Sequence, residues 1–197
     1  MGKKLRVPIP IFITIIVSVL VTTILLNIKP ETNDPNLNNQ GETMEKSAVV
    51  YFSQTNNTKK VAEIIKNETS SDIYEIKAKN PYSEEDLDWT IRDSRANLEQ
   101  NDPEARPEIE TEIDLSAYEK IYLGYPIWWG TIPKIINTFI ETGALNGKEI
   151  VAFCTSGSSG IEESLNALNS YGLNVLDGYR FSASASENEV SEWLESL

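Results

Sequence analysis

The sequence predicts an α/β protein with five parallel strands in one doubly wound sheet, order 2-1-3-4-5, and helices on both faces. Three observations predict it. From Ser47 onward, strand patterns alternate with helix patterns, which builds βαβ units and a parallel sheet. The first, third and fourth strand patterns are continuous apolar runs, as strands covered on both faces should be. The second and fifth carry polar residues, as edge strands do. The simple order with one, three and four inside and two and five outside is 2-1-3-4-5.

Each element follows from its own pattern. Strand one covers residues 48–52, Ala-Val-Val-Tyr-Phe, and its helix covers 58–68 with Val61, Ala62, Ile64 and Ile65 on one face. Strand two covers 72–77 and alternates apolar with polar. Strand three covers 121–125. The helix after it opens at Pro133, a good first-turn residue, and Gly143 stops it. Strand four covers 150–154, and Ile161, Leu165 and Leu168 mark the next helix. Strand five covers 173–181, and a last helix holds Val190, Trp193 and Leu194. The stretch 78–115 is less regular. Leu87, Ile91 and Leu98 suggest a solvated amphipathic helix over the sheet edge. The alternative gives Tyr82, Trp89, Arg92 and Arg95 a role in covering a ligand or meeting a partner.

Composition removes several chemistries. The chain has 197 residues and a net charge of −13. That argues against nucleic acid as a partner, because phosphate backbones need basic patches. There is no histidine, which excludes a Ser-His-Asp triad, a His-ligated metal and a His general base. Cys154 is the single cysteine, so the chain holds no internal disulfide, no CxxC pair and no cysteine-held cluster. Electron transfer by this chain would need an organic cofactor.

The N-terminal layout is that of a membrane anchor. Residues 1–6 carry Lys3, Lys4 and Arg6; residues 7–28 carry no charge and are rich in Ile, Val and Leu. Such a run of 22 residues is long enough to span a bilayer as a transmembrane helix. It ends without a small-residue cleavage pattern, so an uncleaved signal-anchor is preferred to a cleaved signal. Residues 29–46, rich in Asn, Pro and acid, form a flexible linker. The positive-inside rule keeps residues 1–6 in the cytoplasm and puts the domain at 47–197 outside it. Met44-Glu45-Lys46-Ser47 would also serve as a start, and the domain would then be cytoplasmic.

In a doubly wound sheet, ligands sit at the carboxyl ends of the strands, at the switch point between strands one and three. Three loops should converge there. After strand one comes Ser53-Gln54-Thr55-Asn56-Asn57-Thr58. Hydroxyls and amides at a helix start make an anion site from neutral donors and the helix dipole. After strand three comes Tyr125-Pro126-Ile127-Trp128-Trp129-Gly130-Thr131. Adjacent tryptophans on a loop either pack beneath it or stack on a flat ligand. Gly130 allows a close backbone approach. After strand four comes Thr155-Ser156-Gly157-Ser158, small residues whose free N–H groups suit the polar edge of a planar ring.

Together these loops resemble those of the flavodoxin family. Tyr51-Phe52-Ser53-Gln54-Thr55-Asn56-Asn57-Thr58 is similar to its FMN phosphate loop. Tyr125–Thr131 and Phe153-Cys154-Thr155-Ser156-Gly157 are similar to the isoalloxazine loops of a flavodoxin-like subfamily. The likeness covers residues 47–197, with all three loops in order. It departs in having Asn57 where many flavodoxins have glycine-asparagine, and in its short final helix. The resemblance implies a flavodoxin-like fold and FMN as cofactor. It implies that Ser53, Thr55, Asn56, Asn57 and Thr58 hold the phosphate. Pro126, Ile127, Trp128, Trp129 and Gly130 would flank the ring, and Thr155, Ser156, Gly157 and Ser158 would meet its pyrimidine edge and the ribityl chain. The protein itself would do no covalent chemistry.

Three functions fit the sequence. The first is electron transfer by a membrane-tethered flavoprotein serving a redox partner protein or a membrane quinone. Residues 47–197 carry 26 Asp and Glu against 12 Lys and Arg, a net −14. Such a field disfavours a reduced, anionic flavin and steers basic partners. The second is an NAD(P)H-dependent FMN quinone reductase on the same fold; no nucleotide fingerprint is visible, and the field would repel NADPH. The third is a non-redox, tethered module that binds another phosphorylated ligand.

Overall fold

The computed structural model describes residues 46–110 and 112–197. The anchor expected over 7–28 and the linker up to residue 45 lie outside the described residues. Among the described residues, no helix is long and apolar enough to cross a membrane.

The strands are β1 Ser47–Tyr51, β2 Asp72–Glu75, β3 Lys120–Pro126, β4 Glu149–Thr155 and β5 Asn174–Phe181. The helices are α1 Asn57–Thr69, α2 Glu84–Leu87, α3 Arg95–Asn101, α4 Lys134–Glu141, α5 Glu162–Ser170 and α6 Glu187–Glu195. All strand pairs are parallel, and the sheet order is β2-β1-β3-β4-β5. The expected order is the observed one.

Side-chain alternation along the strands divides the core into two layers. Ala48, Val50 and Phe52 face one side, with Leu123, Ala152, Ile135 and Ile136 of α4, and Leu168 of α5. Val49 and Tyr51 face the other, with Phe153, Val61 and Ile65 of α1, and Val190 and Trp193 of α6. The short C-terminal helix is thus packed on α1, and it closes the sheet on that face. Gly124 lies in register with Phe153, whose ring crosses over it; a Cβ there would stand 2.1 Å from the ring. The edge strand β5 carries a bulge opposite Ile150 and Val151, which leaves Leu176 out of register and 52% exposed.

The segment after β2 is not one solvated helix. Ala78 pairs antiparallel with Ile109, so the end of the segment returns to pair with its start. Between these residues stand the short helices α2 and α3. A capping box starts α2: Asp86 N–H donates to Ser83 Oγ, and Ser83 N–H donates to Asp86 Oδ2. Asp88 ends it, because its Oδ1 accepts from the Thr90 N–H at 2.9 Å and the Thr90 hydroxyl at 2.6 Å. A local side-chain bond of this kind competes with helix continuation.

Candidate functional site

The loop after β1 leaves the start of α1 open. Asn56 holds the N-cap position in the left-handed region (φ 64°) and makes no side-chain cap bond. The first-turn N–H groups are therefore uncapped by side chains, at the positive end of a helix of 13 residues. Ser53 is 8% exposed, and its hydroxyl has no hydrogen-bond partner. A buried hydroxyl without a partner is costly, which marks a place for an acceptor. Thr55 and Asn56 are exposed, and the Asn57 amide donates to Thr55 Oγ1 at 3.1 Å. These features fit a bound phosphate.

Thr58 is tied to the loop after β4. Its hydroxyl is buried and lies 2.7 Å from the hydroxyl of Thr155 at the end of β4. The carbonyl of Thr155 accepts from the Ile127 N–H at 3.0 Å. Thr155 is therefore the junction of all three loops, joined through its side chain to α1 and through its backbone to the loop after β3.

That loop is a tight two-residue turn. Trp128 and Thr131 exchange both backbone hydrogen bonds, each 3.0 Å. The central residues Trp129 (φ 48°) and Gly130 (φ 82°) are both left-handed, as in a type I′ turn. Glycine takes that conformation freely; a bulky residue does so only when its surroundings enforce it. The turn gives the two tryptophans different places. Trp128 packs edge-to-face on Phe52 and Tyr82, each with ring centres 5.5 Å apart. Trp129 stands outward and is 43% exposed.

Gln100 of α3 ties this turn down. Its amide N–H groups reach the carbonyls of Trp128 (3.2 Å) and Ile132 (3.3 Å), while its oxygen accepts from the Lys134 N–H at 2.9 Å. The same side chain thus binds both ends of the turn and caps α4. Tyr82 and Arg95 are engaged beneath. The Tyr82 hydroxyl donates to Glu99, Arg95 pairs with Glu99 at 2.6 Å, and the Arg95 guanidinium lies 4.0 Å over the Tyr82 ring. Burial, then the bond to Glu99, raises the Tyr82 pKa well above its ordinary value.

The loop after β4 is held from β5. Arg180 Nη2 donates to the carbonyls of Ser156 and Gly157, at 2.8 and 2.9 Å, and Ser156 N–H donates to Phe181. Ser158 is exposed, and a Cβ added at Gly157 would meet nothing within 4 Å. Cys154, buried one residue earlier, has its thiol pKa pushed up to about 12 by burial, so it is no nucleophile at neutral pH.

The loops meet at a cavity of about 630 Å³. Thr55, Pro126, Ile127, Trp128, Trp129 and Ser158 line it, as do Gln54, Ser159, Leu87, Trp89 and Ala96. That volume is typical of small-ligand sites. Ser53, Asn56, Asn57 and Thr58 stand at the adjoining helix start, Gly130 is at the tip of the turn, and Thr155, Ser156 and Gly157 form the strand end behind Ser158. Sequence reasoning raised Trp89 only as the alternative to a solvated helix, and it did not place Gln100 or Arg180 in the site. A larger cavity of about 900 Å³ lies elsewhere, between α4 and residues 108–116, and contains none of the loop residues.

Fold and site together define a class: a doubly wound α/β protein with a ligand cavity at the switch point of its sheet. Residues 46–197 match the flavodoxin family, and the chain belongs to it. Two solved structures are similar over nearly their whole length. A candidate flavoprotein from Bacteroides uniformis is 38% identical, covers 76% of this chain and 97% of its own, and has a TM-score of 0.73. One from Bacteroides eggerthii is 39% identical, with 77% and 97% covered and a TM-score of 0.72. A Lactobacillus acidophilus flavoprotein, solved in complex with FMN, is 28% identical, with 76% and 99% covered and a TM-score of 0.58. The search of curated proteins gave no match.

Proposed function

We propose that this chain is an electron-transfer flavoprotein that binds FMN at the three-loop site. The observation that carries the reading is the unpartnered, buried hydroxyl of Ser53 beside the uncapped start of α1, at the mouth of a cavity walled by tryptophan. Membership of the flavodoxin family and the FMN complex of the Lactobacillus relative support it. FMN, once bound, supplies one- and two-electron chemistry at its ring.

The chain's own residues then position and insulate. Ser53, Thr55, Asn56 and Asn57, with the α1 N–H groups, bind a terminal phosphate through neutral donors. Thr58 helps by fixing α1 to Thr155. The Trp128–Thr131 turn supplies an apolar wall and a rigid backbone edge. Thr155–Ser158, held by Arg180, supplies N–H groups to a polar ring edge. The acidic surface lowers the potential of a bound flavin and attracts a basic partner protein. The basic segment and the uncharged run over 1–28 support tethering to a membrane, where an anchored partner or a quinone is within reach.

Anaerobic titration of the FMN-loaded chain, with and without NAD(P)H, tests this reading. Two separate one-electron steps and no steady NAD(P)H oxidation are expected. Sustained NAD(P)H turnover with a quinone would instead make the chain a reductase. A colourless chain that ignores added FMN would leave only a binding module for another phosphorylated ligand.

A further inference from the structure

The segment after β2 contributes a third tryptophan to the cavity. Trp89 lines the same space as Trp129, yet its side chain is 75% exposed. An exposed tryptophan on a loose loop would mean little. Here the backbone beneath it is fixed. Asn97, which is 7% exposed, donates through its amide to the carbonyls of Trp89 (3.0 Å) and Ile91 (2.7 Å). One turn further along α3, the Gln100 amide reaches the carbonyl of Trp128. Two amides at i and i+3 share a helix face. Helix α3 therefore holds both tryptophan-bearing loops at one cavity, each amide reaching one tryptophan and one isoleucine carbonyl.

Neither bond is needed to bury Trp89, because Trp89 is not buried. What the arrangement achieves is a fixed backbone that sets a large apolar side chain beside an open cavity. We propose that Trp89 is a ring-contact residue of the cofactor site, with Asn97 as its positioning residue. This rests on the FMN reading above. FMN is the committed occupant because the Ser53–Asn57 loop takes its phosphate at the adjoining helix start. The planar ring then enters the space that Trp89 and Trp129 share, and Trp89 becomes covered.

The test compares the full-length chain with Trp89→Ala and Trp89→Phe by FMN titration, read from flavin fluorescence, and by thermal unfolding without ligand. Trp89→Ala should weaken FMN about tenfold and reduce the quenching of bound flavin; Trp89→Phe should stay within about threefold of the wild type. The melting temperature without ligand should not move, since the side chain is mostly in water. If the wild type binds FMN and Trp89→Ala binds and quenches equally well, the inference is overturned while the FMN reading stands. A melting temperature that falls in step with affinity would make Trp89 a packing residue and also overturn it. A wild type that does not bind FMN overturns the reading beneath it, and the inference falls with that reading.

Discussion

The bond between Thr58 and Thr155 offers a sharp test of how the loops are joined. The two hydroxyls lie 2.7 Å apart, and the side chains are 1% and 6% exposed, so no water replaces either partner. Thr58→Val keeps the shape and removes one hydroxyl, leaving Thr155 Oγ1 buried and unpaired. Such an orphan costs about 1–3 kcal/mol. Thr155→Val strands Thr58 in the same way and should cost as much. The double variant strands neither, and replacing both partners by apolar groups of the same shape is close to neutral. The double-mutant cycle should therefore show a coupling energy equal to the two single losses together, about 2–6 kcal/mol, with the double variant more stable than either single. Urea unfolding of the chain without ligand measures all four corners. Additive losses, or singles that cost less than about 0.5 kcal/mol, would refute the claim that Thr155 joins α1 to the other loops.

Two further predictions follow from the same geometry. Gln100→Glu places a carboxylate against the carbonyls of Trp128 and Ile132 and removes both donors. Stability at neutral pH should fall by about 2 kcal/mol, with part regained in acid, where the protonated side chain donates again; no loss at neutral pH would show that Gln100 serves only as the α4 cap, a role its carboxylate keeps. The raised pKa values of Cys154 and Tyr51, each near 12 and each set mainly by burial, favour the protonated forms in the folded state. Their contribution is full below the ordinary thiol and phenol pKa values and is lost as pH rises above about 9. Cys154 should accordingly resist a thiol reagent at pH 8 until the chain is unfolded, and rapid labelling of the folded chain would contradict its burial.

The sheet was legible because the inner strands are apolar throughout and the outer ones are not. Its observed strands shift the expected boundaries by one or two residues, as at β1, where Phe52 still donates to Gly124 beyond the strand's end. The three loops were legible because their residue types sit at strand ends in the order the topology requires. The stretch 78–115 was not. Its spacing of Leu87, Ile91 and Leu98 suits one helix, but the Asp88–Thr90 bonds break it, and the pairing of Ala78 with Ile109 is a long-range contact with no local signature. The separation of Trp128 from Trp129 was hidden for another reason. Gly130 announces half of a type I′ turn, but tryptophan in the other half runs against its own preference. That strain is held in place by Gln100 and by the packing of Trp128, neither of which the local sequence reveals.

The central claim is that the Ser53–Thr58 loop binds a terminal phosphate and so makes this an FMN site. Parallel titrations of the full-length chain with FMN and riboflavin, which share the same ring, test it most directly. The account predicts one tightly bound FMN per chain with strongly quenched fluorescence, and riboflavin at least tenfold weaker, the loss expected from charged-acceptor hydrogen bonds of about 1.5–3 kcal/mol. Equal affinity for the two flavins, or no affinity for either, would contradict it.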